Sequence, residues 1–351
     1  MINTVLKISM IALLIMLAGG LLPAAASEPS SYTVEFPIQL RDNVSVKMGA
    51  VVLTNPRHPR NGLQVLVLNG TGQTANTFKP LAQAIFADQF GGIVSRMVLL
   101  NYPGHGNSGY PVGVKFGDLT IGDYVTSLLA SIESLTPMGL RPNVLLGHSL
   151  GAEIIMLAQQ RLLNQGTTLR GKYGIRGALF LVPDIPGPLP WAFVDSGMAA
   201  PLVGQLVRPD PVLGNVLDVP PPVWVSLFYS DRNGALAPGA TTPDEAVNKG
   251  YISLDSATVG AELLGLNGAR PLVNSGLFSN NRGTVASVIT FEQDSLYVFP
   301  LEHQNLYSYL TFDQSGKLFF TVGGAQSVHN LHVINPGAIL TAVKTALLSC
   351  R

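Results

Sequence analysis

The strongest chemical signal in the sequence is a serine, Ser149, inside the pentapeptide Gly-His-Ser-Leu-Gly at residues 147–151. A short apolar run at residues 144–146 precedes the pentapeptide, and a pattern with helical spacing follows it. Because glycine has no Cβ, Gly147 and Gly151 allow a strand and a helix to approach each other closely around the serine. The pattern therefore predicts a sharp strand–turn–helix that presents Ser149 as a nucleophile near the positive end of a helix.

A serine hydroxyl is a poor nucleophile until a neighbouring base removes its proton, and an acid must hold that base in one tautomer. Two histidines near the C-terminus, His329 and His332, are candidates for the base. Three carboxylates that follow apolar runs are candidates for the acid: Asp294, Asp231 and Glu292.

The elements that must position these groups alternate between strands and helices. Continuous apolar runs are typical of strands buried on both faces of a parallel sheet; they occur at residues 64–68, 95–100, 144–146, 177–182, 285–291 and 317–322. Helical spacing is found at residues 77–90, 121–135, 150–163, 301–310 and 336–348. Residues 32–53 alternate loosely and predict an antiparallel hairpin. The alternation favours a parallel sheet with helices on both faces.

Residues 185–283 interrupt this pattern. The stretch is rich in proline and glycine, with irregularly scattered aromatic residues. We interpret it as an inserted cap or lid that covers the carboxyl ends of the strands, between core segments at residues 27–184 and 284–351. A strand-like piece at residues 223–229 fits either the insertion or the sheet.

Composition argues against several classes of partner. The chain has 351 residues, a formal net charge of zero and only 12% charged residues, so no highly charged surface for nucleic acid is expected. Cys350 is the single cysteine, which excludes an intramolecular disulfide and a cysteine-based metal site.

The first 26 residues are typical of a secretory signal peptide. Lys7 precedes an apolar run at residues 8–22, and three alanines at residues 24–26 form a cleavage site before Ser27. We expect a secreted or periplasmic protein, of bacterial type, without a transmembrane segment in the mature chain.

Three motifs resemble those of α/β-hydrolase-fold serine hydrolases: residues 147–151, Tyr-Pro-Gly-His-Gly-Asn-Ser at 102–108, and Gly-Gly-Ala-Gln-Ser-Val-His at 323–329. The resemblance extends from residue 64 to residue 348, apart from the insertion. It implies an α/β fold of the α/β-hydrolase type, with a mostly parallel, doubly wound sheet and an inserted cap or lid.

The resemblance also implies a catalytic triad in the chain order serine, acid, histidine. His329 lies a few residues after the last strand, where the family has its histidine, and His332 is the alternative base. Asp294 leaves room for one helix and one strand before His329, which makes it our preferred acid. Asp231, much farther upstream, remains the alternative.

Two N–H groups are needed to hold the oxyanion of a tetrahedral intermediate. By resemblance these belong to Leu150, after the nucleophile, and to Thr71, in the loop where the family has His-Gly-x. Asn69 stands where histidine is common, and its amide can still brace this loop.

No metal or cofactor is expected. His105 and His148 lie inside the family motifs without H-x-x-x-H or H-E-x-x-H spacing, so we expect structural roles for them. The glycines at residues 70 and 72 lack the remainder of a phosphate-binding loop.

The sequence thus predicts an exported serine hydrolase, esterase- or lipase-like, that cleaves a small-molecule or lipid-like carboxylic ester through an acyl-enzyme. The same triad also serves peptidases, thioesterases and lactonases, and a catalytically silent binding protein is the alternative from another class.

We expect the exported protein to begin near Ser27, because the alanine triplet before it suits a signal peptidase. N-terminal sequencing of secreted material measures this directly, and retention of Met1 would reject cleavage.

Overall fold

The computed structural model describes residues 29–58, 62–88, 91–184, 207–217, 228–231, 235–240, 242–249, 251, 262, 272–294, 300–313 and 317–351. The predicted signal peptide at residues 1–26 lies outside the described residues. Much of the predicted insertion also lies outside them, including most of the strand-like piece at residues 223–229.

Strands and helices are numbered here in chain order among the described residues. The strands are β1 (Ser30–Arg41), β2 (Val44–Thr54), β3 (Leu63–Leu68), β4 (Val94–Asn101), β5 (Val144–His148), β6 (Gly177–Leu181), β7 (Val207–Asp210), β8 (Gly214–Leu217), β9 (Val285–Phe291) and β10 (Phe319–Val322). The helices are α1 (Lys79–Ala87), α2 (Ile121–Leu135), α3 (Leu150–Asn164), α4 (Leu169–Tyr173), α5 (Pro243–Asn248), α6 (Pro300–Thr311), α7 (Leu331–Ile334) and α8 (Pro336–Leu348).

Eight of these strands form one sheet in the order β1-β2-β4-β3-β5-β6-β9-β10. The predicted hairpin is present, because β1 pairs antiparallel with β2, and β2 pairs antiparallel with β4. All pairs from β4 to β10 are parallel. The prediction of an α/β fold with a mostly parallel sheet is therefore confirmed.

Helices cover both faces of the sheet because side chains alternate along each buried strand. In β3, Leu66 and Leu68 face a core shared with α2, α3 and α6, whereas Val65 and Val67 face a core shared with α1 and α8. This is the doubly wound arrangement that the continuous apolar runs predict. None of the helices among the described residues has the length and apolar character to cross a bilayer.

Helix boundaries follow local capping chemistry. Helix α2 begins with a capping box, in which Thr120 and Asp123 each accept a hydrogen bond from the other's backbone N–H. The predicted helix at residues 77–90 instead begins at Lys79, after a 3-10 turn at Ala75–Phe78. Proline in the first helical turn explains this start, because its missing N–H is not needed there.

One part of the predicted insertion packs onto the core. The β7–β8 hairpin pairs antiparallel, and Leu213 and Val216 join the apolar cluster on the α2 face. The N–H of Gly117 donates a 2.7 Å hydrogen bond to the Leu213 carbonyl, which ties the hairpin to the loop before α2.

Candidate active site

The turn between β5 and α3 holds Ser149 in an unusual backbone conformation. Its φ of 50° and ψ of −121° are rare for a residue with a side chain. Two hydrogen bonds fix the turn: the Ser149 N–H donates to the Leu181 carbonyl at 3.0 Å, and the Ser149 carbonyl accepts from the Ala152 N–H at 2.9 Å. The side chain therefore leaves the chain at the carboxyl edge of the sheet.

The two flanking glycines are required by close backbone packing. A Cβ on Gly147 would lie 2.5 Å from the Ala152 nitrogen, and a Cβ on Gly151 would lie 2.5 Å from the Leu68 carbonyl oxygen. Real Cβ atoms do not approach other atoms so closely. The strand, the turn and the helix can therefore pack around Ser149 only with glycine at both positions.

His329 and Asp294 form a buried pair at the same edge of the sheet. The His329 Nδ1 and Asp294 Oδ2 atoms are 2.9 Å apart, and the two side chains are 0% and 1% exposed. Because a carboxylate only accepts, this contact puts the ring proton on Nδ1 and leaves Nε2 as the basic nitrogen. Asp294 follows β9 and His329 follows β10, so parallel neighbouring strands bring them together.

The other predicted acids have different surroundings. The Asp231 Oδ1 accepts a 3.0 Å hydrogen bond from the Ala235 N–H, and the Asp231 N–H donates to the Ala235 carbonyl. Asp231 thus closes a local turn. Glu292 is exposed, next to Gly323.

His332, the alternative base, is buried between Phe78 and His148. Its ring stacks on Phe78 at 4.5 Å and lies 4.4 Å from the ring of His148. Neither of its ring nitrogens makes a hydrogen bond with another described residue. Burial, helped by nearby His329, lowers the pKa of His332 from 6.5 to about 3, so its ring is neutral at ordinary pH.

His148 holds the backbone of His329. Its Nε2 lies 3.0 Å from the His329 carbonyl oxygen, and because that oxygen only accepts, Nε2 is the donor. Burial, followed by the nearby His332 and His329, lowers the pKa of His148 well below 6.5. The residue before Ser149 is thereby linked directly to the loop that carries His329.

The loop after β3 borders Ser149. A Cβ on Gly70 would lie 3.2 Å from the Ser149 Cβ, so this loop passes beside the serine. The Asn69 Nδ2 donates to the Leu100 carbonyl at 2.8 Å, and the Asn69 carbonyl accepts from the Tyr102 hydroxyl at 2.9 Å. Asn69 thus braces the loop.

Leu150 is the first residue of α3, so its N–H has no acceptor inside the helix.

A side-chain bridge joins this loop to the histidine loop. The Gln73 Oε1 accepts from the Gly70 N–H at 3.0 Å, and the Gln73 Nε2 donates to the Asn330 Oδ1 at 2.8 Å. Asn330 follows His329 directly, and its N–H donates to the Phe228 carbonyl at 3.1 Å. The Phe228 ring, from the predicted insertion, stacks on the His329 ring at 5.8 Å.

The sequence did not reveal three buried polar residues near the site. Asp184 follows β6, and its N–H donates to the Ser149 carbonyl at 3.2 Å. His303, in α6, accepts from the Thr290 hydroxyl at Nδ1 and donates to the Pro183 carbonyl from Nε2. Burial lowers the pKa of His303 from 6.5 to about 4. The third residue is Glu262. Asp184 could have been identified as a polar residue at the carboxyl end of a predicted strand. No sequence pattern marks His303 or Glu262.

No group of three or more histidine, cysteine, aspartate or glutamate residues in the described part of the chain is arranged to hold a metal ion.

A family model described as the alpha/beta hydrolase family matches residues 65–290. A search of curated proteins gave no match.

Solved structures of several hydrolases are similar to this chain. An esterase from a Rhodococcus species is 15% identical, with a TM-score of 0.54 over 92% of this chain and 100% of its own. A membrane phospholipase A is 15% identical, with a TM-score of 0.55 over 100% of this chain and 99% of its own. An N-acyl homoserine lactonase is 14% identical, with a TM-score of 0.52 over 92% of this chain and 98% of its own. Likeness at these identities supports a shared fold.

We expect the His332→Phe variant to resist acid better than the wild-type protein. The pKa of His332 is lowered on folding, so the stability contributed by its neutral ring is fully present above pH 6.5 and is lost as the pH falls towards 3. Phenylalanine keeps the stacking on Phe78 and cannot bind a proton. Between pH 7 and pH 5 the variant should lose about 2 kcal/mol less of its free energy of unfolding than the wild type.

Urea unfolding at pH 7, 6 and 5 measures this difference. Comparing each protein with its own value at pH 7 removes any change in stability that comes from repacking. If the free energy of unfolding falls equally in the two proteins between pH 7 and pH 5, His332 is not held neutral by burial.

Proposed function

Because the chain belongs to the α/β-hydrolase family, we propose that it is a serine hydrolase that cleaves a carboxylic ester through an acyl-enzyme. The observation that carries the proposal is the buried hydrogen bond between His329 and Asp294, made at the sheet edge where the turn after β5 presents Ser149. The direct contact between His148 and the His329 backbone supports the proximity of these two parts of the chain.

In this mechanism Ser149 is the nucleophile. The His329 Nε2 removes the proton from the Ser149 hydroxyl as the oxygen attacks the ester carbonyl, and Asp294 stabilises the resulting imidazolium. The negative charge on the carbonyl oxygen is held by the N–H groups of Thr71 and Leu150, near the positive end of α3.

Collapse of the tetrahedral intermediate breaks the ester bond. His329 gives its proton to the leaving alkoxide, which departs as an alcohol, and the acyl group stays on Ser149. A water molecule then attacks this acyl ester, with His329 as its general base. The products are the carboxylic acid and the regenerated serine hydroxyl.

An ester is the proposed substrate for two reasons. Named structural neighbours include an esterase and a phospholipase A, and the apolar Phe228 ring from the predicted insertion lies against His329. Such a ring suits an acyl group better than it suits a charged one. The signal-like N-terminus supports the further proposal that the protein is exported and meets its substrate outside the cytoplasm.

We expect the purified protein to hydrolyse chromogenic esters, and Ser149→Ala to lower kcat by at least about 10⁴-fold, because no other group replaces the nucleophile. Esters of increasing acyl length, run beside matched thioesters and amides, measure the preferred bond. Ser31→Ala, at an exposed serine in β1, is the control and should keep wild-type rates. A folded Ser149→Ala variant with wild-type hydrolysis would reject the proposal, as would amide cleavage without ester cleavage.

We expect Asp294→Asn to lower kcat by about 10⁴-fold, because an amide at this position no longer fixes the proton of His329 on Nδ1. Asp231→Asn is the matched control and should stay close to wild type, since Asp231 closes its own turn. Steady-state kinetics on the best ester compares the two variants. A large loss in Asp231→Asn together with near-normal Asp294→Asn would make Asp231 the acid.

A further inference from the structure

Glu262, a residue of the predicted insertion, places a buried carboxylate against the loop after β3. Its side chain is fully buried. The Oε2 atom accepts a 2.6 Å hydrogen bond from the Gly72 N–H, and the Oε1 atom accepts a 3.0 Å hydrogen bond from the Tyr124 hydroxyl. The His105 Nε2 lies 3.5 Å from Oε2. Burying a carboxylate is costly unless several donors surround it, so this arrangement requires an explanation.

The Gly72 N–H belongs to a tight turn at residues 70–73. The Gln73 N–H donates to the Gly70 carbonyl at 3.2 Å, and Gly72 has a φ of 67°, in the left-handed region that favours glycine. Thr71, the proposed oxyanion donor, therefore lies at the centre of the turn.

Buried side chains fix the peptide groups on both sides of the Thr71 N–H. The preceding peptide, between Asn69 and Gly70, donates its N–H to the Gln73 Oε1 at 3.0 Å. The following peptide, between Thr71 and Gly72, donates its N–H to Glu262. With both neighbouring peptide planes held, the plane that carries the Thr71 N–H has little freedom to rotate.

The partners of Glu262 are themselves held firmly. Tyr124, on α2, is fully buried, and burial together with the charge of Glu262 raises its pKa well above 10, so it remains a hydroxyl donor. The His105 Nδ1 lies 2.8 Å from the Pro103 carbonyl oxygen, which fixes the ring beside the loop after β4. Glu262 thus links the loop after β3 to α2 and to the loop after β4.

We propose that Glu262 is a positioning residue for the oxyanion site, which orients the Thr71 N–H by accepting the hydrogen bond of the next peptide. The inference rests on the proposed hydrolase function. If Glu262 orients the Thr71 N–H, the predicted insertion contributes to catalysis, because Glu262 belongs to that insertion. The carboxylate does not touch the substrate; it acts through the Thr71–Gly72 peptide.

We expect Glu262→Ala to lower kcat about 10- to 100-fold. A slightly misplaced N–H donor stabilises the transition state less well, and this loss is larger than the loss for the bound substrate. KM should change by less than about threefold. Binding of a trifluoromethyl ketone, which forms an oxyanion on Ser149, should weaken by the same factor as kcat/KM falls. Glu262→Gln keeps an oxygen that can accept from Gly72 and should recover most of the activity.

Two further variants separate positioning from folding. Glu262→Asp keeps a carboxyl group but withdraws it by one methylene, so it tests the contact even if the alanine variant does not fold. Glu133→Ala is the matched control, because Glu133 also accepts from a tyrosine hydroxyl, that of Tyr173 at 2.7 Å, but does so away from this loop. Thermal melting is recorded for each protein, and Glu133→Ala should keep wild-type kinetics.

The inference is overturned if folded Glu262→Asp keeps wild-type kcat and wild-type affinity for the trifluoromethyl ketone. It is also overturned if Glu262→Gln loses as much activity as Glu262→Ala. If the wild-type protein neither hydrolyses esters nor binds the ketone, the proposed function itself fails. If the wild-type protein hydrolyses esters and the Glu262 variants behave like it, only this inference fails and the proposed function stands.

Discussion

Ser149 is held in a rare backbone conformation, and the other groups of the candidate site are arranged around it. A non-glycine residue at a φ of 50° costs about 1–3 kcal/mol, so the surrounding structure must hold it there. The carbonyl of β6 accepts from its N–H, and the N–H groups of Ala152 and Asp184 donate to its carbonyl. The same turn sets the start of α3 and lets the loop after β3 pass beside the serine. Loosening this turn would displace the Ser149 side chain and the neighbouring N–H groups together.

Around this turn the protein buries polar groups in linked pairs. His329 is held at its ring by Asp294 and at its carbonyl by His148, so both its orientation and its position are fixed. His303 is held between Thr290 and Pro183, and Asp294 is near enough to affect its pKa. Low pKa values keep the His303 and His332 rings neutral, which avoids competing positive charge beside the one histidine that is proposed to accept a proton. The apolar cores on both sheet faces provide the rigid frame for these contacts.

The sequence predicts the strands and helices of the core well, because their apolar residues form continuous runs or follow the helical period. The bounds of β9, α2 and α8 agree with the patterns at residues 285–291, 121–135 and 336–348. These elements lie against the apolar cores, so the apolar run or the helical period extends through the whole of each element. Helix α4 has only five residues and was not predicted, since so short a segment shows no period.

Residues of the candidate site are predictable only where a motif or a strand end marks them. Ser149 lies in a pentapeptide, and His329 and Asp294 follow strands. The position after the last strand favours His329 over His332, but only the fold shows that the His332 ring stacks on Phe78. Glu262 lies in a stretch without periodicity, and its contact with Gly72 joins residues 190 positions apart. Such long-range polar contacts depend on tertiary packing and leave no local pattern.

If the turn after β5 presents Ser149 to an activating His329, the serine should react as a nucleophile. Reaction with a fluorophosphonate, followed by intact mass measurement and peptide mapping, tests it most directly, because this reagent needs an activated serine. We expect one phosphonyl group per chain, on the peptide that contains Ser149. Folded protein that stays unlabelled, or that carries the group on another residue, would contradict it.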